Sequence, residues 1–326
     1  MNQIISLQKI IQQELEQLSC EIHKQPKELY EPIVYTLQFG GKRIRPVMLL
    51  LACDMFGGNI QQALPAAIAI ELFHNFTLVH DDIMDNATLR RGNATVHTQW
   101  NNNIAILSGD ALLVKAYQKL AECKPILLPT VLNIFNKLAI EVCEGQQLDM
   151  NYEQTNTVTI AEYINMITLK TAVLLAGSLK IGALLANATE EEAHYLYEFG
   201  KNIGIAFQLQ DDLLDVYGDE KKFGKQVGGD IISNKKTYLL LKAMELSNHT
   251  QKAALKKWLQ LDTFDNQAKI TAITTVYNAL DIPKLTQELI ENYCKNGLLA
   301  LSKINLTANK KAILHTFVQQ LMTRQM

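Results

Sequence analysis

Asp81-Asp82-Ile83-Met84-Asp85 and Asp211-Asp212-Leu213-Leu214-Asp215 write one five-residue pattern twice in this chain. Each copy follows an apolar run, Phe76-Thr77-Leu78-Val79-His80 before the first and Ile203-Gly204-Ile205-Ala206-Phe207-Gln208-Leu209-Gln210 before the second. Helical positions i and i+4 lie about 40° apart around the axis, so Asp81 stands under Asp85 and Asp211 under Asp215. Each motif is a comb of carboxylates on one helix face. Acidic pairs at this spacing are common on solvated helices, where lysines interleave with them. Here the basic residues come afterwards, in loops, and the preceding turns are apolar. Carboxylates in such surroundings repel one another and resist desolvation, so they need cations. Hard divalent ions fit best: Mg²⁺ takes oxygen ligands and binds through a few carboxylates together with substrate phosphates.

Helical periodicity continues outward from both combs. Ile4, Leu7, Ile10, Ile11, Leu15 and Leu18 form one apolar stripe, and further helices are predicted at 46–56, 61–84, 104–121, 126–150, 160–187, 190–217, 235–246, 249–260, 266–299 and 308–324. Alternating strands are absent from the pattern and β-hairpins are not expected. The fold class is therefore all-α. Length suggests two domains as a starting point. No Pro-, Ser- or Gly-rich linker divides the chain, however, and cooperation between combs so far apart in sequence requires helices facing each other in one bundle, so a single domain over residues 1–326 is expected.

Composition narrows the function. The chain has 326 residues, 31 basic against 33 acidic, and 48% hydrophobic content. Near neutrality gives no global field for nucleic acid, so any anion site is local. Five scattered cysteines without a C-x-x-C pair argue against a disulfide framework or a zinc site. The first residues lack the pattern of a secretory signal, and the apolar region from Ala172 to Ala188 is short and carries Ser178 and Lys180, so no membrane span is expected and a cytoplasmic location is.

The cations cluster at particular points. In Gly40-Gly41-Lys42-Arg43-Ile44-Arg45-Pro46 the proline suits a first helical turn and disfavours helical geometry before it, which places Lys42, Arg43 and Arg45 in a loop entering a helix amino terminus. Such an end favours anions, although a solvated basic turn fits the segment equally well when taken alone. His74 lies seven residues before Asp81 and shares its face, as Gln208 does with Asp211. A lone histidine there is more often a satisfied core residue. Lys170-Thr171 interrupts an apolar helix, where a lysine must reach solvent, pair or meet an anion. Two breaks, 86–96 and 218–234, follow the combs and carry Arg90 and Arg91, and Lys221, Lys222 and Lys225.

Taken together, Gly41 to Pro46, the first comb with Arg90-Arg91-Gly92, Lys170-Thr171, Phe207-Gln208 before the second comb, and Gly224-Lys225-Gln226-Val227-Gly228-Gly229-Asp230 resemble the trans-isoprenyl diphosphate synthases, with order and spacing matching over about residues 38–240. The resemblance implies a helical bundle of the isoprenoid synthase type with a central cavity. It implies a homodimer and three Mg²⁺ ions held by Asp81, Asp82, Asp85, Asp211 and Asp212, with Asp215 in support. Arg90, Lys170, Thr171, Gln208, Lys225 and Lys235 match residues that grip an allylic diphosphate, with Lys170 and the aspartates central to catalysis. Lys42, Arg45, His74 and Arg91 match the pocket for isopentenyl diphosphate. Gly145-Gln146-Gln147-Leu148-Asp149 resembles a segment near the reacting carbons. Phe76 and Thr77 occupy the positions that set product length in the family, and one aromatic ring without an insertion in the motif favours a C20 product over C15. A class I terpene cyclase and a non-catalytic partner of a synthase are the alternatives. Asp215 and the Lys42/Arg45 segment argue against the first, and the full set of charges against the second. Lys235-Lys236-Thr237-Tyr238-Leu239 lacks the proline usual in the family at its fifth position.

Overall fold

A computed structural model describes residues 2–22, 24–155, 157–218 and 227–322. The protein is helical, as expected. The first helices are α1 (Asn2–Glu21), α2 (Lys27–Gln38), α3 (Ile44–Met55), α4 (Ile60–Met84), α5 (Val96–Gln99), α6 (Asn102–Leu120) and α7 (Leu128–Gln154). Then come α8 (Ile160–Ile167), a π-helical turn at Thr168–Ala172, α9 (Val173–Leu185) and α10 (Glu190–Tyr217). Helices Gly229–Ile232, Tyr238–Leu246, His249–Leu259, Asn266–Ala279, Ile282–Ser302 and Ala308–Met322 follow. The described residues group into two compact units. The first comprises Met1–Ala139, Leu174–Tyr197 and Lys303–Lys311, and the second Ile140–Val173, Glu198–Ser302 and Ala312–Met326.

In the first unit α4 is the central element. Between Ala63 and Phe73 it is apolar except for Glu71 and almost wholly buried, which requires neighbours all around, and α1, α3 and α6 pack against it. Asn59 caps its start by accepting a hydrogen bond from the Gln61 backbone N–H at 2.9 Å. In the second unit α8 opens with a capping box, Thr159 and Glu162 each accepting from the other's backbone N–H. The Tyr238–Leu246 helix packs against α8 and Ile282–Ser302, while Asn266–Ala279 receives Gly229–Ile232 and His249–Leu259.

Four local expectations are corrected. Helix α2 was not foreseen: Tyr30, Ile33, Val34 and Leu37 carry helical spacing, but Pro32 within it obscures the pattern. The predicted helix 266–299 is two helices, broken at Asp281, whose φ is 53°, with Pro283 in the first turn of the second. A small hairpin does exist, Leu89–Arg90 paired antiparallel with Asn93–Ala94. Its two turn residues, Arg91 at φ 52° and Gly92 at φ 77°, both lie in the left-handed region that a tight hairpin turn demands. The fourth concerns α3, which starts at Ile44, so Arg45 belongs to its first turn rather than to the loop. Pro46 is tolerated there because first-turn N–H groups lack helical acceptors in any case.

Two helical stretches, Ile60–Met84 and Ile160–Leu185, are long and apolar enough by length and composition to cross a membrane, the second longer than the apolar region marked out in the sequence. Most of each apolar window is buried inside the protein.

Candidate active site

Both combs stand at the carboxyl ends of their helices. Asp81 and Asp82 occupy the last turn of α4, and Asp85 caps it, its backbone N–H reaching the Asp81 carbonyl at 2.9 Å. Asp211, Asp212 and Asp215 fall in the last two turns of α10. A helix carboxyl end already carries partial negative charge, so carboxylates gathered there are unfavourable unless cations join them. In the first unit Arg90, delivered by the hairpin, supplies one: its Nε donates to Asp82 Oδ1 at 2.7 Å and its Nη2 to Asp81 Oδ2 at 3.2 Å. Asp82 is buried, and burial raises its pKa above the ordinary carboxylate value while Arg90 opposes the shift. Asp85 is exposed.

The Lys42–Arg45 segment separates into different roles. Arg43 turns inward, with its side chain 4% exposed, and donates from Nη1 to Glu71 Oε1 at 2.5 Å and from Nη2 to the Leu37 carbonyl at 2.6 Å. Asn75 donates to the same Glu71 oxygen at 3.1 Å. Arg43 is therefore a structural anchor, and it holds the turn that presents Lys42 and Arg45. Arg45 Nη1 lies 3.1 Å from His74 Nε2. Arginine can only donate, so Nε2 accepts and the proton of a neutral imidazole sits on Nδ1. Burial and then the charges of Arg45, Arg91, Arg90 and Arg43 push the His74 pKa well below the usual histidine value. Arg91 donates to the Gly40 carbonyl, and its guanidinium covers Gly41 so closely that a Cβ there would lie 2.5 Å from Nη1. The structure thus brings Arg45, His74 and Arg91 together, with Lys42 exposed beside them in sequence.

Phe76 is half-buried on α4 between Phe73 and His80, at ring separations of 5.6 and 4.8 Å. Phe73 continues the aromatic row to Phe135 at 5.3 Å, and Phe135 to Tyr117 at 5.3 Å. Thr77 donates its hydroxyl to the His74 carbonyl at 2.8 Å.

In the second unit the π-turn carries Lys170 and Thr171. A π-turn inserts a residue into a helix and is frequent at functional positions. Lys170 Nζ donates to Asp149 Oδ2 at 2.6 Å, and Thr171 to Gln208 Oε1 at 3.0 Å. Gln208 in turn donates to Asp212 Oδ1 at 2.8 Å, and the fully buried Tyr163 hydroxyl donates to Asp212 Oδ2. Burial, then the neighbouring Asp230 charge, lifts the Asp212 pKa to about 7, against the opposing pull of Lys235, Tyr163 and Gln208. Asp215 accepts from the Asp230 backbone N–H at 2.9 Å. Lys225 lies outside the described residues.

Among the described residues no three carboxylate, imidazole or thiolate groups converge closely enough to hold a metal ion by themselves. The donor set nonetheless fits a hard cation: all its oxygens are carboxylate, they concentrate at helix carboxyl ends, and burial raises the pKa of both Asp82 and Asp212, a cost that a bound cation would offset. Mg²⁺ keeps several waters and shares its ligands with phosphates, so open carboxylates suit it better than a closed cage. Sequence reading missed Glu71 and Tyr163. Both are ordinary residues at helical spacing, and only their burial against Arg43 and Asp212 distinguishes them.

These features define a helical protein with carboxylate clusters whose chemistry suits hard cations and a separate cluster of guanidinium and imidazole groups whose chemistry suits an anion. Comparison with known proteins places it within that class. The polyprenyl synthetase family model matches residues 26–277, and the chain belongs to this family. It is 46% identical over 222 residues to the geranylgeranyl diphosphate synthase of Methanosarcina mazei, covering 68% of each chain. It is 38% identical over 240 residues to the geranylfarnesyl diphosphate synthase of Natronomonas pharaonis, covering 68% of this chain and 70% of that one. A crystal structure of a geranylgeranyl pyrophosphate synthase superposes with a TM-score of 0.95 at 41% identity, covering 100% of both chains.

Proposed function

We propose that this protein is a Mg²⁺-dependent trans-prenyltransferase that condenses isopentenyl diphosphate with an allylic diphosphate, head to tail, to give a short-chain prenyl diphosphate, C20 in preference to C15. The observation that carries the reading is a pair of carboxylate combs at helix carboxyl ends, in a chain of the polyprenyl synthetase family. Family membership supports dependence on Mg²⁺, and three ions belong to the proposal. Asp81, Asp82, Asp85, Asp211, Asp212 and Asp215 would hold them; when bound they would supply positive charge to the departing diphosphate. The chain's own residues do the rest. Arg90, Lys170, Thr171, Gln208, Lys225 and Lys235 are assigned to the allylic diphosphate. Arg45, Arg91, Lys42 and a neutral His74, donating from Nδ1–H, are assigned to the second diphosphate. Ionisation of the allylic C–O bond releases diphosphate with the bonding pair and leaves a carbocation, the isopentenyl double bond attacks it to form the new C–C bond, and loss of a proton to the released diphosphate restores an alkene. Water must be kept from the carbocation, which it would otherwise quench.

Geranylgeranyl names among the relatives support the C20 product, and the single ring of Phe76 is its proposed stop. One catalytic domain over residues 1–326 is part of the same reading, supported by a family match that takes in segments of both compact units. So are a cytoplasmic location without a membrane span, for which the burial of both apolar helices speaks, and a homodimer, for which exposed Ile106, Leu107 and Val114 on α6 speak.

The test is to supply Mg²⁺, isopentenyl diphosphate and each of dimethylallyl, geranyl and farnesyl diphosphate, and to size the products by mass spectrometry. A linear C20 diphosphate is expected, whereas cyclised hydrocarbon or no condensation would overturn the reading. Asp81→Ala and Asp211→Ala are each expected to lower kcat about 100-fold or more at saturating Mg²⁺. Near-normal turnover in either variant removes that comb from the mechanism.

A further inference from the structure

Lys269, on the Asn266–Ala279 helix, is the one fully buried lysine among the described residues. Burying an ammonium is unfavourable unless every proton finds a partner. Lys269 Nζ donates to the Ile232 carbonyl at 3.1 Å and to Asn234 Oδ1 at 2.7 Å, and it stands 3.9 Å from the centre of the Phe264 ring. All three partners are neutral. Burial accordingly lowers its pKa, with no charged neighbour contributing. A leucine or methionine would fill this place without that penalty, so the ammonium has a task that packing does not explain.

Its two oxygen partners identify the task. Residues 228–237 form a strap tied at both ends. At one end the Gly228 N–H reaches the Asp215 carbonyl at 2.6 Å and the Asp230 N–H reaches Asp215 Oδ2 at 2.9 Å, which fastens the strap to the third tooth of the second comb. At the other end Lys269 grips Ile232 and Asn234. Asn234 sits in the left-handed region at φ 58°, and its Nδ2 donates to the Leu259 carbonyl at 3.1 Å. The Lys235 N–H then closes back on the Asp230 carbonyl at 2.9 Å. The strap therefore carries Asp230 and Lys235, the two charged residues whose fields act on Asp212. Its course between Asp215 and Lys269 decides where those two charges lie.

We propose that Lys269 is a positioning residue for diphosphate binding: by pinning Ile232 and Asn234 it fixes Lys235 and Asp230 against the second comb. The inference rests on the reading of that comb and Lys235 as a site for Mg²⁺ and a diphosphate. Lys269 touches neither itself. It acts through two backbone turns, as outer residues of a metal site commonly do.

The variants are Lys269→Met, which keeps length and removes charge and donors, Lys269→Arg, which keeps both, and Asn234→Gly, which keeps the left-handed backbone and removes the acceptor. Binding of inorganic diphosphate in the presence of Mg²⁺ is measured by calorimetry, KM is measured separately for the allylic and isopentenyl substrates, and thermal midpoints accompany both. Lys269→Met is expected to weaken diphosphate binding about tenfold and to raise the allylic KM in proportion, with the isopentenyl KM unchanged. Lys269→Arg recovers part of the loss, and Asn234→Gly reproduces it more weakly. A residue serving stability alone would lower the thermal midpoint and the active fraction while leaving the affinity of folded protein as it was. Unchanged diphosphate affinity in the variants, or equal rises in both KM values, overturns the proposal. If Lys269→Met does not fold, Asn234→Gly decides. Wild-type protein that binds no diphosphate with Mg²⁺ sinks the comb reading and this inference together, whereas binding that the variants share sinks Lys269 alone.

Discussion

Arg43 and Arg45 are two residues apart and do opposite things. Arg43 is spent inside the protein on Glu71 and Leu37, while Arg45 meets His74 in the cationic cluster. No spacing rule separates them, because Arg43 enters the left-handed region at φ 48° and its side chain leaves the direction its neighbours take. Glu71→Ala would leave the Arg43 guanidinium buried without its counter-charge. The expected loss is about 3–5 kcal/mol, read from the urea midpoint. His74 yields a pH prediction. Its folded pKa lies well below the ordinary value, so below about pH 6.5 the unfolded chain takes up a proton that the folded protein refuses. Stability from this group is complete above that pH and is lost as pH falls, by up to about 1.4 kcal/mol per unit. Urea unfolding at pH 5.5 and 7.5 should show a smaller drop in His74→Gln than in the wild type. An equal drop would mean that His74 is charged in the folded protein.

Among elements, the π-turn at Thr168–Ala172 is one that periodicity could not supply. The sequence pattern reads through it as a single helix, and the extra residue changes which face Lys170 and Thr171 occupy. Two glycines make room for it. A Cβ on Gly145 of α7 would lie 2.2 Å from the Lys170 backbone nitrogen, and one on Gly204 of α10 would lie 2.6 Å from the Ala172 Cα. This close approach lets Lys170 reach Asp149 and Thr171 reach Gln208. Gly145→Ala must displace backbone rather than a flexible side chain, so a loss of about 1–3 kcal/mol is expected, together with a raised KM for the allylic substrate. Denaturant unfolding and initial rates check both, and a variant with wild-type midpoint and KM would show that α7 can shift freely. The hairpin 89–94 teaches a related lesson. Its turn is Arg91-Gly92 rather than the familiar Asn-Gly, so local chemistry did not announce it, yet it delivers Arg90 to the first comb.

At the scale of the whole molecule the open quantity is product length. Phe76 lies some 140° around α4 from Asp81 by helix geometry, and its neighbours are Phe73 and His80 rather than the comb. Phe76→Ala is expected to shift products from C20 toward longer chains, sized by mass spectrometry after hydrolysis. An unchanged product would place the stop elsewhere in the aromatic row, with Phe73 or Phe135 the next to test. By itself the sequence determined the helical class, the two combs, the cationic turn and the family, because helical period and charge spacing are local properties that a chain displays before it folds. Tertiary structure alone decided which charges are spent internally, as Arg43 is on Glu71, and which buried groups stand behind the combs, as Tyr163 does on Asp212 and Lys269 on Asn234. Those pairings join residues distant in sequence through burial, and burial is fixed by how helices pack rather than by any spacing along one of them.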